Sequence, residues 1–386
     1  MSSGLVGVVR RALAGSSDPV TPVAVTEAVR RQRQTAPLSG AAVLAESDRI
    51  GADLTGAGPL QPLLDDPGVT DVLVNGSRQV WVDRGAGLRR EAVTFTDDTV
   101  VRRLAVRLAA LAGRRLDDAR PCADVRLPDG TRLHAVLPPV AVAGPFLSLR
   151  THRSRAFSMA ELTAAGTVTA QSADLLAGIV AAKRSFLITG GTGSGKTTLL
   201  ASLLGIVEAA ERIVAVEDAT ELVPVHPHVV SLQTRHANVE GSGEVSLRQL
   251  VRQALRMRPD RIIVGECRGA EVVELLTALN TGHEGCAGTL HANTAADVPA
   301  RLAALALPHG LSREGLHAMV AAALRVIVHL DRRQGRRVVS EISLLDHDAV
   351  NARLTVVPAW TLDAGHTHGI EQLRRLLAPA GRMERS

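Results

Sequence analysis

The sequence has almost no aromatic residues: Phe, Trp and Tyr together make 2%, and tyrosine is absent altogether. Grooves for single-stranded nucleic acid stack bases on aromatic rings, so that class of function loses weight before any motif is read. Cysteine is scarce as well. Cys122, Cys267 and Cys286 form no C-x-x-C pair, which argues against a zinc ribbon or a disulfide framework. Each reads as a small buried residue of a reducing compartment. Long apolar runs are missing too. A membrane-spanning helix needs about 18 consecutive apolar residues, and the richest stretches here are cut by Lys183 and Arg184, by Pro138 and Pro139, or by Arg325. The apolar stretch 4–14 carries Arg10 and Arg11 inside it and leads to no small-residue cleavage site, so a secreted or membrane-integral protein is not expected. Lysine is nearly absent: of 44 basic residues only Lys183 and Lys196 are lysine, with arginine spread over the whole chain. That distribution reads as gene base composition rather than chemistry.

What remains is a foldable chain. Its 386 residues are 46% hydrophobic and 22% charged, which fits two globular domains and excludes wholesale disorder. Basic residues exceed acidic ones by only five, 44 against 39. Residues 1–48, rich in Ala, Ser, Pro and Arg, read as a variable segment with a short helix near Thr26 to Arg30. Residues 49–150 read as a small α+β domain. Val69 to Val74 and Gln79 to Val82 flank Asn75-Gly76, a hairpin signal; Thr99 to Leu111 has helical spacing; Asp124 to Leu127 and Arg132 to Val136 flank a Pro128-Asp129-Gly130 turn. Residues 151–169 read as a linker, in which Ser158 and Glu161 form a capping box.

From residue 170 to 386 helices and strands alternate. Strand candidates are Phe186 to Thr189, Ile213 to Val216, Val229 to Leu232, Ile262 to Val264 and Ala287 to Leu290; helix candidates are Ala170 to Ala182, Lys196 to Val207, Leu247 to Met257 and Ala270 to Leu279. That rhythm predicts an α/β fold around a mostly parallel, buried sheet. Val326 to Leu330 and Val338 to Leu345 read as a late antiparallel hairpin, and the chain beyond 330 carries no recognisable motif.

Between the first of these strands and its helix lies Gly190-Gly191-Thr192-Gly193-Ser194-Gly195-Lys196-Thr197, followed by Thr198. It fits G-x-x-x-x-G-K-[ST] at every fixed position. Glycines let main-chain amides turn inward around phosphate oxygens where a Cβ would obstruct them, and the helix that follows presents its positive end. By that motif Lys196 would reach the β- and γ-phosphates of a nucleotide, and the Thr197 hydroxyl would ligate Mg²⁺. Two carboxylates end apolar strands: Glu217 after Val216 and Glu266 after Gly265. Ligands of open parallel sheets gather at the carboxyl ends of strands, although acidic residues there also serve as turn formers or caps. Asp260 precedes its strand and belongs at the wrong edge. His283 and His291 flank Ala287 to Leu290 at a spacing that does not suit two metal ligands on one helix face.

Taken in order, these motifs resemble a secretion-superfamily ATPase of the tight-adherence pilus type (TadA/CpaF), a relative of the type II secretion, type IV pilus and conjugative type IV secretion ATPases. The likeness spans roughly residues 55–330. It rests on the phosphate loop, an aspartate box at Arg212 to Leu222, an atypical acidic strand motif at Leu255 to Gly269 and a histidine box from Thr281 to Asn293. Upstream, Thr70 to Gly76, Arg126 to Arg132 and Leu147 to Arg150 resemble the family's N-terminal domain. The tetracysteine zinc module of the type II branch is missing, and the second loop position is Gly191, where many relatives have proline.

The resemblance implies a RecA-like phosphate-loop core preceded by the α+β domain, ATP and Mg²⁺ as ligands, and a hexameric ring with nucleotide between the two domains. It assigns Glu266 to water activation and Glu217 to metal or water positioning, directly or through water. His283 and His291 become γ-phosphate sensors, and Arg150 a γ-phosphate contact from the N-terminal side, with Arg258 and Arg268 as weaker alternatives. The implied protein is cytoplasmic, bound peripherally at the inner face of the membrane. It would drive an inner-membrane platform protein that exports pilin-like subunits or substrates. A conjugation or DNA-transfer ATPase of the same fold is the alternative, and the few aromatics and small charge surplus weigh against nucleic acid as a partner.

Overall fold

The computed structural model describes residues 24–28, 47, 50–52, 56–85, 87–151, 156–235, 242–280, 282, 284–348 and 353–378. The chain divides into two compact units, Met1–His152 and Arg153–Ser386. The first holds one antiparallel six-stranded sheet: β1 (Asp71–Asn75), β2 (Gln79–Asp83), β3 (Leu88–Glu91), β4 (Cys122–Arg126), β5 (Arg132–Val136) and β6 (Phe146–Arg150), in the order β3-β2-β1-β6-β5-β4. Strand alternation sends Val72, Val74, Leu133 and Leu149 inward, where they pack with Val101, Leu104 and Leu108 of the helix Asp98–Leu111. That helix starts where Asp97 accepts hydrogen bonds from the main-chain N–H groups of Thr99 and Val100, satisfying donors that would otherwise lack partners.

The second unit is built on nine strands: β7 (Phe186–Gly190), β8 (Ile213–Glu217), β9 (Val229–Gln233), β10 (Arg261–Cys267), β11 (Ala287–His291), β12 (Val326–Arg333), β13 (Arg336–Asp348), β14 (Arg353–Thr361) and β15 (Gly365–His366). Their order is β15-β14-β13-β12-β7-β11-β10-β8-β9. Neighbours from β12 to β9 run parallel, and β13, β14 and β15 extend the sheet antiparallel. Apolar runs without polar alternation suit strands covered on both faces. Phe186 and Ile188 enter one core with Leu199, Leu200 and Leu176, while Leu187, Val214 and Val264 enter the other with Leu250, Leu275 and Leu302. The sheet's parallel part therefore carries helices on both sides, and all its carboxyl ends share one edge. No helix among the described residues is long and apolar enough to cross a membrane.

Three features depart from the sequence reading or add to it. Val326 to Leu330 does begin an antiparallel hairpin, but β12 also pairs parallel to β7. All five residues from Val326 to Leu330 are buried, as a central strand requires. The chain beyond 330, empty of motifs, completes the core: Trp360 is 1% exposed and packs in one core with Leu373 of the helix Ile370–Leu377. Cys122 is exposed rather than buried, because it opens edge strand β4 on the outward side of the alternation.

At the sheet's opposite, amino edge, Arg261 is fully enclosed. Its guanidinium donates to Glu211 from Nε at 2.8 Å and to the Val180 carbonyl at 2.9 Å. Burial pushes the Glu211 carboxyl up, but Arg261 and Lys183 outweigh it and hold the group below the ordinary carboxylate range. This pair ties three elements together far from the phosphate loop.

The cysteines give a direct test of the packing. Burial raises the Cys286 thiol to about 12 and pushes Cys267 higher still. A thiol-reactive disulfide reagent should therefore titrate one thiol per native chain and all three after denaturation, and Cys122→Ser should abolish the native reaction. Prompt native labelling of Cys267 or Cys286 would contradict this burial.

Candidate active site

The loop after β7 is shaped by glycines that differ in what they are for. Gly190 has φ +146°, and a Cβ there would lie 2.4 Å from the Leu330 carbonyl oxygen and 2.7 Å from Ser194 Oγ. Gly193 at +72° and Gly195 at +97° occupy the left-handed region, where an L-residue pays in sterics. Gly191 is under neither constraint, with no atom within 4 Å of its Cβ position. Gly195 is also the N-cap of the helix Lys196–Leu204, so the helix's free amides open at the loop. Ser194 Oγ is buried without a hydrogen-bond partner. Lys196 is folded onto the loop, its Nζ donating to the carbonyls of Gly190 and Gly191 at 2.9 Å each. Thr197 and Thr198 are half-buried in the helix's first turn, and Thr192 is exposed. A cradle of this kind, with one glycine that admits no Cβ, two more in the left-handed region and an orphaned hydroxyl, fits a polyphosphate.

Both candidate carboxylates sit at the same edge of the sheet as the loop. Glu217, the last residue of β8, is 3% exposed, and its Oε1 accepts hydrogen bonds from the N–H groups of Glu221 at 2.9 Å and Leu222 at 3.0 Å. It has room because the adjacent β10 residue is Gly265, whose Cβ would come within 2.7 Å of Glu217 Cγ. Gly265 in turn receives a 2.6 Å hydrogen bond on its carbonyl from Thr289 Oγ1 of β11. Glu266, half-buried, accepts from Arg268 Nε at 2.7 Å, and Arg268 also lies 3.7 Å from Asp218. Burial works against the charge on Arg268, but Glu266 and Asp218 outweigh it and raise its pKa. Arg268 is thus an ion-pair partner of Glu266 here. Asp260 and Arg258 lie before β10, at the other edge; the Asp260 carboxylate accepts from the Arg212 N–H at 2.7 Å.

His291 ends β11 opposite Gly190 of β7 and is half-buried. His283 lies outside the described residues. Arg150 belongs to the first unit, at the end of β6, where it is paired with Asp71 on β1 and with Arg132 on β5, which in turn faces Arg126 on β4. Side chains directly opposite share a face of the sheet, so three arginines lie side by side on one rung. Among the described residues no group of three or more His, Cys, Asp or Glu side chains is placed to hold a metal ion.

Two residues at the loop escaped the sequence reading. His329 of β12 is 7% exposed, with Nδ1 2.8 Å from Thr189 Oγ1, and it bonds the main chain of Asn293. Burial lowers its pKa in spite of nearby Glu341 and Asp331, so it is a neutral link between the strand that feeds the loop and the segment after His291. Its signal was a single polar residue inside an apolar run. Arg337 of β13 donates from Nε to the Gly193 carbonyl at 2.9 Å, and no spacing in the sequence marks it.

Comparison with known proteins bears on the family and the fold. A profile of the family described as type II/IV secretion system protein matches residues 53–359. A putative conjugal transfer protein of Mycobacterium tuberculosis is 55% identical over 87% of this chain and 97% of its own length. The type IV secretion system protein PtlH of Bordetella pertussis is 33% identical over 79% of this chain and 93% of its own. Among solved structures, the pilus retraction motor PilT with bound ADP is similar with a TM-score of 0.53 and 23% identity, covering 75% of this chain and 83% of that one. The ATPase DotB of Yersinia pseudotuberculosis gives 0.54 and 17%, covering 76% and 79%. These two carry the fold alone, a RecA-like core.

The loop's glycines should separate cleanly on substitution. Gly190→Ala should lower nucleotide affinity on the order of a hundredfold, since the new Cβ meets backbone that cannot yield, whereas Gly191→Ala should stay within about threefold of the parent. Equal losses in a calorimetric titration with Mg-ADP would refute this reading of the loop.

Proposed function

The chain belongs to the type II/IV secretion system protein family, and from that premise we propose that it is a Mg-ATP-hydrolysing motor that works as a hexameric ring on an inner-membrane platform protein. The observation that carries the proposal is the juxtaposition at one sheet edge of a glycine-shaped phosphate cradle with Glu217, Glu266 and His291. Phosphoryl transfer is mostly positioning and charge stabilisation, and that edge has the parts for both.

Main-chain amides of the loop and the first turn of its helix hold the phosphates, and Lys196 leaves the Gly190 and Gly191 carbonyls to pair with them. The Thr197 hydroxyl and the Glu217 region would hold Mg²⁺, which when bound would neutralise phosphate charge. Glu266 orients the attacking water and is itself held in place by the hydrogen bond from Arg268. His291, aligned with Gly190, reports on the γ-phosphate, and His283 shares that role. Arg150, with Arg132 and Arg126 on its rung, supplies positive charge from the first unit to the transition state. Such a motor acts at the cytoplasmic face of the membrane.

The exported client has two readings. The tight-adherence resemblance favours pilin-like subunits. The 55% identical relative is named a putative conjugal transfer protein, and the TrbB conjugal transfer protein of Rhizobium radiobacter is 33% identical. Both favour a DNA-transfer machine, against which stand 2% aromatics and a net charge of +5.

Three measurements test these assignments. Lys196→Ala should cut Mg-ATP hydrolysis on the order of a hundredfold or more; turnover at the parental rate would remove the loop from the chemistry. Arg150→Ala should keep nucleotide affinity within about threefold while losing on the order of a hundredfold in kcat; a matching loss of affinity would make Arg150 a ground-state clamp. For the client, single-stranded DNA should leave the ATPase rate unchanged if the platform is the sole target. A steep rise that vanishes at higher salt selects the DNA-transfer reading.

A further inference from the structure

Three carbonyls of the phosphate loop are held by two cations of different origin. Lys196, a loop residue, takes those of Gly190 and Gly191, and Arg337, from β13, takes that of Gly193. The Arg337 contact is built into the fold. β13 pairs with β12, and β12 lies against β7 with Leu330 opposite Gly190. Leu330 and Val339 are partners across the hairpin and both enter the core that holds Leu199 and Leu200 of the loop's helix. Strand alternation puts Arg332 and Arg337, the pair two positions further out, on that same side. The Arg337 stem reaches Gly195, whose Cβ position is 3.3 Å from Arg337 Cδ.

The consequence follows from peptide geometry. In a planar trans peptide the carbonyl of one residue and the N–H of the next point in opposite directions. With the Gly193 carbonyl fixed toward the guanidinium, the Ser194 N–H must point away from Arg337. That amide is only loosely occupied, at 3.4 Å from the Gly191 carbonyl. When Lys196 turns to phosphate, its two carbonyls are released, but the Arg337 bond remains because it originates on another strand.

We propose that Arg337 is a positioning residue of the nucleotide site: it orients the Gly193–Ser194 peptide so that the Ser194 amide faces the bound phosphates. The inference rests on the nucleotide-binding reading above. Loop amides of this motif cradle the α- and β-phosphates, so the effect belongs to diphosphate and triphosphate alike and to ground and transition states alike. It differs from an arginine that touches the γ-phosphate.

The test uses the full chain, with Kd measured for a fluorescent Mg-ADP analogue and, by competition, for a non-hydrolysable Mg-ATP analogue, together with kcat. Arg337→Ala should weaken both affinities by about tenfold and by similar factors, with kcat at saturation within about threefold of the parent. Arg337→Lys, which keeps a donor, should recover most of the loss. Arg337→Met keeps the stem against Gly195 but not the donor, so it should behave as the alanine variant does and covers the case in which alanine does not fold. Weakened triphosphate with unchanged diphosphate binding would overturn the proposal by making the guanidinium a γ-phosphate contact. So would a kcat loss at unchanged affinity, or a methionine variant that binds like the parent. A parent chain that binds no nucleotide would instead sink the functional reading itself.

Discussion

The site depends on one close approach. The α-carbon of Gly190 lies so near the Leu330 carbonyl that no side chain fits between them, and this contact brings β12 against the strand that launches the phosphate loop. Without it the loop would have only its own glycines and helix to define its shape. With it, the loop is gripped from a second strand pair: His329 bonds Thr189 just before the loop, and Arg337 bonds Gly193 within it. A phosphate cradle must be rigid before the ligand arrives, because amides that reorganise on binding lose much of their advantage. The late hairpin supplies that rigidity.

The acidic edge shows a second form of the same logic, with space and charge allotted separately. Glu217 is buried where Gly265 leaves room, and two main-chain amides satisfy one of its oxygens. Glu266, further out, is balanced by Arg268 instead. A buried carboxylate needs hydrogen bonds to remain charged, whereas a half-exposed one can rely on an ion pair. The two groups therefore stand in different environments although both end parallel strands. That difference is the physical basis for giving them different roles.

Much of the architecture was legible in local pattern. Strand alternation marked β1, β2, β4 and β5, the absence of alternation marked β7, β8, β10 and β11, and the capping box at Ser158 and Glu161 is present as the spacing suggested. The position of the loop between strand and helix was equally plain, because glycine, lysine and threonine at fixed spacing mark that turn. In the last quarter of the chain the hairpin of Val326 to Leu345 was legible, but its place in the sheet was not. It joins through a pairing to β7 that no local pattern encodes, and Arg337 is one arginine among several in the run Arg332 to Arg337.

The sequence by itself determined that a glycine-rich loop of phosphate-binding pattern opens a helix after a buried strand, and that acidic residues stand at the carboxyl ends of two other apolar strands; these are short-range facts, set by backbone freedom and periodicity. Only the tertiary structure decided which distant groups complete the site. Gly265 makes room for Glu217, His329 joins Thr189 to Asn293, and Arg337 reaches Gly193 from 144 residues away. Such contacts are made by sheet order and register, and those are settled by how whole strands bury their faces rather than by any neighbouring residue.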